Sequence, residues 1–301
     1  MGGGSGMKTT ERLFARVEGL WREALEKPFV VEMADGTLSA ERFRYYMVQD
    51  ALYIGDYIGI LELIRRKVGE LEREPVQRMG DAGAGGPGFV RAAREGFDGG
   101  ATGAGNAHGR DEARPSQEAG WERAFDAGRD WKSHLPEAQH SQNGHTDLGI
   151  FLDGIIAATK EEQGRVHRTN LEKLGISDEM FERCERSEEN AEYVAFLRGR
   201  VEKEGVVAGL VALLHCSWMY AFIAETMVAR MGAAIARSPY RGWFEEYAGA
   251  AYETANRRWI EVVDRETSEM GETELERLGD IFVVCARHEN RFWDMAYAAV
   301  G

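Results

Sequence analysis

Asp50, Cys216 and Glu289 each occupy a position where the surrounding pattern calls for an aliphatic residue. Cys216 and Tyr220 are four apart within 205–229, a stretch apolar on almost every face, so thiol and phenol lie one above the other on one side of a helix. Asp50 falls in the stripe Phe43, Met47, Asp50, Ile54, Tyr57, which repeats at helical spacing. Glu289 lies among Cys285, Phe292, Trp293 and Ala296. A buried carboxylate needs a partner or a ligand. Asp50 is flanked by Tyr45, Tyr46, Tyr53 and Tyr57, which reads as a binding wall. Taken singly, each residue is also explained as core: free Cys is among the most buried residue types, and an Asp can bond to a neighbouring helix. Taken together, a thiol, two carboxylates and several phenols on apolar faces of different helices make a nucleophile with acid/base partners.

The elements that must position them are helical throughout. The stretch 205–229 is long enough to span a bilayer, but it carries His215, Cys216, Ser217, Tyr220 and Glu225, and a Glu at bilayer depth is expensive. It therefore reads as the buried central helix of a core. Residues 10–25 are amphipathic, 28–33 read as a short connection closed by a turn at Asp35-Gly-Thr, and Ser39 is placed to cap the helix that carries Asp50 to about Glu74. Further helices are predicted over 148–174 (stopped by Gly175), 177–187, 190–204, 238–252, 255–268 and 272–300. His167 reads as a helix-surface residue. No strand alternation occurs, so the class is all-α, a helical bundle around the apolar helix.

Composition narrows the function. The chain has 301 residues and a formal net charge of -14, with no basic cluster, which excludes phosphate backbones and anionic membrane surfaces as partners. Three cysteines at wide spacing (Cys184, Cys216, Cys285) form neither a disulfide framework nor a metal pattern and suit a reducing cytoplasm. Residues 1–6 read as an appended linker, with Met7 as the natural start. Residues 75–147 are rich in Gly, Ala, Asp, Arg and Ser with no sustained apolar period, and read as a polar, disordered insertion in a single domain made of 7–74 and 148–301. Four of the seven histidines (His108, His134, His140, His145) fall there. Scattered His in a polar segment read as solvated, and no metal site is assigned.

Several of these motifs resemble the thiaminase II (TenA) family. They are Phe43-Arg-Tyr-Tyr-Met-Val-Gln-Asp50-Ala-Leu-Tyr53, Leu213-Leu-His-Cys216-Ser-Trp-Met-Tyr220, Trp243-Phe-Glu-Glu-Tyr247 and Glu289-Asn-Arg-Phe-Trp-Asp-Met-Ala-Tyr297. The opening Pro28-Phe-Val and Asp35-Gly-Thr-Leu fit too, although Lys27 stands where the family often has His. The resemblance implies a haem-oxygenase-like bundle and a homotetramer. It implies hydrolysis of 4-amino-5-aminomethyl-2-methylpyrimidine, and in some members of thiamin, to the 5-hydroxymethyl compound in thiamin salvage. It places the nucleophile on Cys216 and the acid/base carboxylate on Glu289. Asp50 would hold the ring's amidine edge, with Tyr53, Tyr193, Tyr220, Tyr247 and Phe292 around the ring. A thiol partly ionised near neutrality would attack C6, Glu289 would protonate a ring nitrogen, and no metal or organic cofactor would be needed. The rivals are a non-catalytic pyrimidine-binding or regulatory protein and an oxidase or metalloprotein of the same architecture. The latter would need ligand sets that Asp50 and Arg287-His288-Glu289 do not make.

Overall fold

The computed structural model describes residues 7–80, 147–161, 163, 171 and 174–299. The segment 75–147, expected to be an insertion, lies outside them except for its two ends, as do His108, His134, His140, His145 and His167. The chain runs through α1 (Thr9–Leu25), α2 (Pro28–Asp35), α3 (Ala40–Gly80), α4 (Asp147–Glu161), α5 (Asp178–Glu182), α6 (Glu188–Glu204), α7 (Val206–Ile235), α8 (Arg241–Tyr247), α9 (Ala250–Glu266) and α10 (Glu272–Ala298). No strand occurs among the described residues, and the class is the predicted one.

At the centre is α7. Among the described residues it is the helix long and apolar enough to cross a membrane, but 72% of its most apolar window is buried inside the protein. It packs against α1, α2, α3, α6, α8, α9 and α10. That explains its composition: a helix surrounded by other helices needs no polar face. Close approach is secured at Gly209, where a Cβ would stand 2.6 Å from Val201 Cγ2 on α6 and 2.9 Å from Ile64 Cδ1 on α3. α7 kinks at Met231, whose φ of -129° and ψ of 20° leave the helical region.

Some boundaries differ from those the sequence predicts. Residues 28–35 form α2 rather than an irregular connection. The local chemistry favours this, with Pro28 at the first helical position and Gly36 ending the helix at φ 84°. α3 begins beside Ser39, whose Oγ accepts from the Arg42 backbone N–H at 3.3 Å. It continues past Pro75 to Gly80, since a proline removes one helix bond rather than all of them. The short charged helix expected over 177–187 is the single turn and a half of α5, and the helix expected through Tyr252 breaks instead at Gly249, between α8 and α9.

Two polar clusters set the helices that carry the site. Gln49, next to Asp50, ties the start of α6 to α3. Its Nε2 donates to the Glu185 carbonyl at 2.9 Å, its Oε1 accepts from Ser187 N at 3.0 Å, and its own carbonyl accepts from Asn190 Nδ2 at 2.7 Å. On the other side, Ser238 Oγ donates to the Met33 carbonyl at 2.8 Å and Tyr240 donates to the Leu38 carbonyl at 2.6 Å, fixing α8 beside α2 and α3.

Candidate active site

Consecutive residues of α7 face opposite ways. His215 points toward α1 and α10, where Trp21 Nε1 donates to its Nε2 at 2.9 Å and Phe282 meets it edge-on at 4.7 Å. Cys216 faces α3, α6 and α10, where the other chemically active side chains converge.

The centre of that convergence is the pair Cys216 and Glu289. Their side chains lie close enough for each to shift the other's proton affinity. Glu289 is almost wholly buried, and Tyr193 donates to its Oε1 at 2.9 Å. Burial pushes its carboxyl from 4.5 up to about 7; the bond from Tyr193 and the nearby Cys216 thiol pull the other way, and the Asp50 charge adds to the rise. Asp50, also buried, is raised from 3.8 to about 7 by burial. The thiol of Cys216 is held well above its ordinary value, by burial first and then by the Glu289 and Asp50 charges. This corrects the expectation of a partly ionised thiol. A low-pKa cysteine needs cations or a helix N-terminus beside it, whereas this one sits mid-helix between two carboxyls. Among the described residues, the buried Tyr53 hydroxyl has no partner at hydrogen-bonding geometry. It nevertheless lies close enough to the sulfur to pull the thiol's pKa down, so the contact is an approach rather than a formed bond.

A cavity of about 110 Å³ is lined in part by Cys216. Asp50, Ile54 and Tyr57 of α3 line it with Ile155, Ala158 and Thr159 of α4, Cys216, Ser217 and Tyr220 of α7, Tyr247 of α8, and Tyr252, Ala255 and Trp259 of α9. An apolar cavity of about 150 Å³ holds benzene, so the space is on the scale of one aromatic ring. A larger cavity of about 460 Å³, lined by Lys67, Glu204, Arg277 and their neighbours, has no thiol, no hydroxyl side chain and no aromatic wall.

The predicted site residues therefore divide into two groups. Asp50, Cys216, Tyr220 and Tyr247 face the cavity. Glu289, Tyr53, Tyr193 and Phe292 gather around Cys216 but are not part of the cavity wall. Tyr53 stacks on Tyr193 at 5.4 Å, and Phe292 meets Tyr53 edge-on at 6.3 Å. Tyr220 meets Tyr247 edge-on at 5.0 Å. Sequence reasoning noted Tyr46 only as a flank of Asp50. It is fully buried, accepts from Trp243 Nε1 at 3.0 Å, and brings its hydroxyl to 3.4 Å from that of Tyr220, so it sets the Tyr220 ring. The wall from α4 and α9 was missed altogether. Nothing in helical periodicity separates a residue facing a cavity, such as Ile155 or Trp259, from one facing the core. Among the described residues no three His, Cys, Asp or Glu side chains are grouped to hold a metal ion.

A helical bundle enclosing a thiol between two carboxyls and a set of phenols is the architecture to compare with known proteins. The chain belongs to the TENA/THI-4/PQQC family, whose profile matches residues 14–74 and 146–299. It is 22% identical over 292 residues to the aminopyrimidine aminohydrolase of Halalkalibacterium halodurans, covering 97% of this chain and 96% of that protein. It is 19% identical over 291 residues to the aminopyrimidine aminohydrolase of Helicobacter pylori, covering 97% and 99%. The solved structure of a TenA homologue from P. horikoshii superposes with a TM-score of 0.63 at 21% identity, covering 97% of this chain and 99% of that one.

Proposed function

We propose that the protein is an aminopyrimidine aminohydrolase of the thiaminase II type, acting in thiamin metabolism through a covalent Cys216 adduct. The observation that carries this reading is the Cys216 thiol at a ring-sized cavity, beside a carboxyl that burial raises to about 7 and sharing that cavity with Asp50. The two full-length relatives named for this activity support it.

The resting thiol is protonated, so the nucleophile is generated on demand. Glu289 in its ionised form takes the thiol proton while sulfur attacks C6 of the pyrimidine, and returns that proton to the adjacent ring nitrogen. The net result is addition of S–H across the C6–N bond. The dearomatised ring then expels the amine from the C5 methylene, water adds to the exposed methylene, and loss of the sulfur restores the aromatic ring. Asp50 accepts from the 4-amino group and fixes the ring in the cavity. Tyr220 and Tyr247 supply its aromatic walls, and Tyr53 stabilises charge on sulfur as it develops. Phe292 packs behind Tyr53 and keeps the sulfur side apolar. The reaction draws only on side chains of the chain.

This reading places the enzyme in the cytoplasm, in salvage of the pyrimidine of thiamin, and as a homotetramer whose mass light scattering would measure. The deciding experiment is incubation of the purified protein with 4-amino-5-aminomethyl-2-methylpyrimidine and, separately, with thiamin, followed by mass spectrometry. Formation of the 5-hydroxymethyl pyrimidine is expected, with a rate that rises as pH passes through about 7, because both carboxyls act ionised. No product from either compound would refute the assignment and favour a pyrimidine-binding protein without turnover.

A further inference from the structure

His288 immediately precedes Glu289 on α10, and its ring lies parallel to that of Tyr193, with centroids 5.0 Å apart and planes 8° from coplanar. Tyr193 in turn stacks on Tyr53 at 5.4 Å and 25°. The result is a column of three rings reaching from the half-buried edge of α10 to the sulfur. Two of its three members present a hydroxyl to the reacting pair: Tyr193 donates to Glu289 Oε1 at 2.9 Å, and Tyr53 approaches Cys216.

We propose that His288 is a positioning residue of this site: as the outer plate of the ring column, it holds the Tyr193 hydroxyl on Glu289 and the Tyr53 ring beside Cys216. This rests on the functional reading above, and goes beyond it by assigning a role to a side chain outside the cavity. Stacking is the means. An aromatic plate restricts the tilt of its neighbour, and the Tyr193 hydroxyl sits at the far end of a ring that α6 holds through its backbone. With no plate behind it, Tyr193 would tilt away from Tyr53, and both hydroxyls would drift from their targets. His288 is itself held in place. Phe196 of α6 packs against it at 5.4 Å, and Arg291 of α10 pairs with Glu192 of α6 at 2.6 Å, both close enough to act on His288. Burial and then Arg291 lower its pKa below the ordinary 6.5, with Glu192 opposing, which favours the uncharged ring. A phenyl ring could then serve in its place, which makes the proposal testable.

The test compares His288→Ala with His288→Phe in the full chain, in a Cys184→Ser background because Cys184 is exposed. Two quantities are read across neutral pH: kcat and KM for the aminomethyl pyrimidine, and the rate of Cys216 alkylation by iodoacetamide followed by peptide mapping. His288→Ala should lower kcat about tenfold, the scale of one displaced hydrogen bond, with KM little changed. It should also displace the pH midpoint of Cys216 alkylation. His288→Phe should keep both at the wild-type value. In a Tyr193→Phe background His288→Ala should cost less than it does in the wild type, because the part of its effect that runs through the Tyr193 hydroxyl is already gone and only the part that runs through the Tyr53 ring remains. An unchanged His288→Ala enzyme, a Phe variant as impaired as the Ala variant, or fully additive losses with Tyr193→Phe would each overturn the proposal. If the wild-type protein did not hydrolyse the pyrimidine, the functional reading would fall, while the alkylation measurements would still decide the role of the column.

Discussion

The two sides of α7 bury neighbouring residues under opposite regimes. Toward α1, His215 sits in an aromatic cluster with Trp21, Trp218, Phe222 and Phe282. Trp21 donates to it, burial lowers its pKa from 6.5 to about 3, and it stays neutral. Among the described residues its Nδ1 is left without a partner. Toward α3 and α10, Cys216 sits beside a cavity with Asp50 at its wall and Glu289 behind it, both with pKa values near 7. Burial on the first side neutralises a group and leaves it inert. On the second side burial brings two carboxyls to the pH at which they exchange protons, and leaves space beside a thiol. The chemistry follows from that space and those protons, since both sides are equally apolar in outline.

The largest expected effect tests the cavity side. Cys216→Ala should reduce turnover by about 10³-fold or more, because the step that splits the reaction is lost. The melting temperature and pyrimidine binding should change little, since an alanine beside an existing cavity removes only one sulfur from the packing. Turnover that survived in this variant would remove the covalent mechanism. A collapsed fold would mean that the two sides of α7 are both simply core.

The second test uses the sign of the carboxyl shifts. The folded-state pKa of Asp50, about 7, lies above its ordinary 3.8. Folding therefore favours the protonated form, and the stability associated with it is complete below about pH 4 and lost as pH rises through about 7. A rise of that size corresponds to about 4 kcal/mol. Asp50→Asn, which cannot ionise, should be the more stable protein at pH 8 and should show a flatter dependence of melting temperature on pH. It should also bind the pyrimidine more weakly, because an amide presents a donor to the 4-amino group. Parallel melting curves for the two proteins from pH 5 to about pH 8 would contradict the assigned burial. Unchanged ring binding would contradict the assigned contact.

On the inert side, His215→Ala should cost about 2–5 kcal/mol, combining a new void with a buried Trp21 Nε1–H left unpaired. The kcat of the folded fraction should stay within a few-fold of wild type. Calorimetry with rate measurements at low temperature would read both quantities. A large fall in kcat without loss of stability would mean that the two faces of α7 are coupled and that the division drawn above is wrong.

How far the sequence foretells this arrangement differs between the two sides. Apolar periodicity found α7 and the helices around it, and the oddity of a carboxylate in an apolar stripe found Asp50 and Glu289. Periodicity could not find α2, because eight residues are little more than two turns; the signal there was Pro28 at one end and Gly36 at the other. Nor could it identify Tyr46 as the residue that sets Tyr220, since that relation crosses from α3 to α7 and α8. Cys216 departs from the expectation because burial holds its proton first, and the carboxyls that add to this come from two other helices, which residue type alone cannot report.

The smallest expected effect concerns the stretch between the two halves of the fold. We propose that residues 76–146 contribute neither to the core nor to the site. The family profile matches 14–74 and resumes at 146, so the bundle is accounted for on either side of it. The argument is energetic. Ordering a residue costs roughly 1–2 kcal/mol of backbone entropy, and burial returns only about 25 cal/mol per Å² of apolar surface, which a Gly-, Ala- and charge-rich sequence has little of. Carrying such a loop is nonetheless cheap, since each doubling of its length adds only about 0.6 kcal/mol of closure entropy. Replacing 76–146 by a short Gly/Ser linker should therefore leave both the melting temperature and the turnover close to those of the full chain. A well-folded deletion variant with a large loss of turnover would reverse this view. The stretch would then contribute to the site, and the division between an inert core and an open site would have a third party.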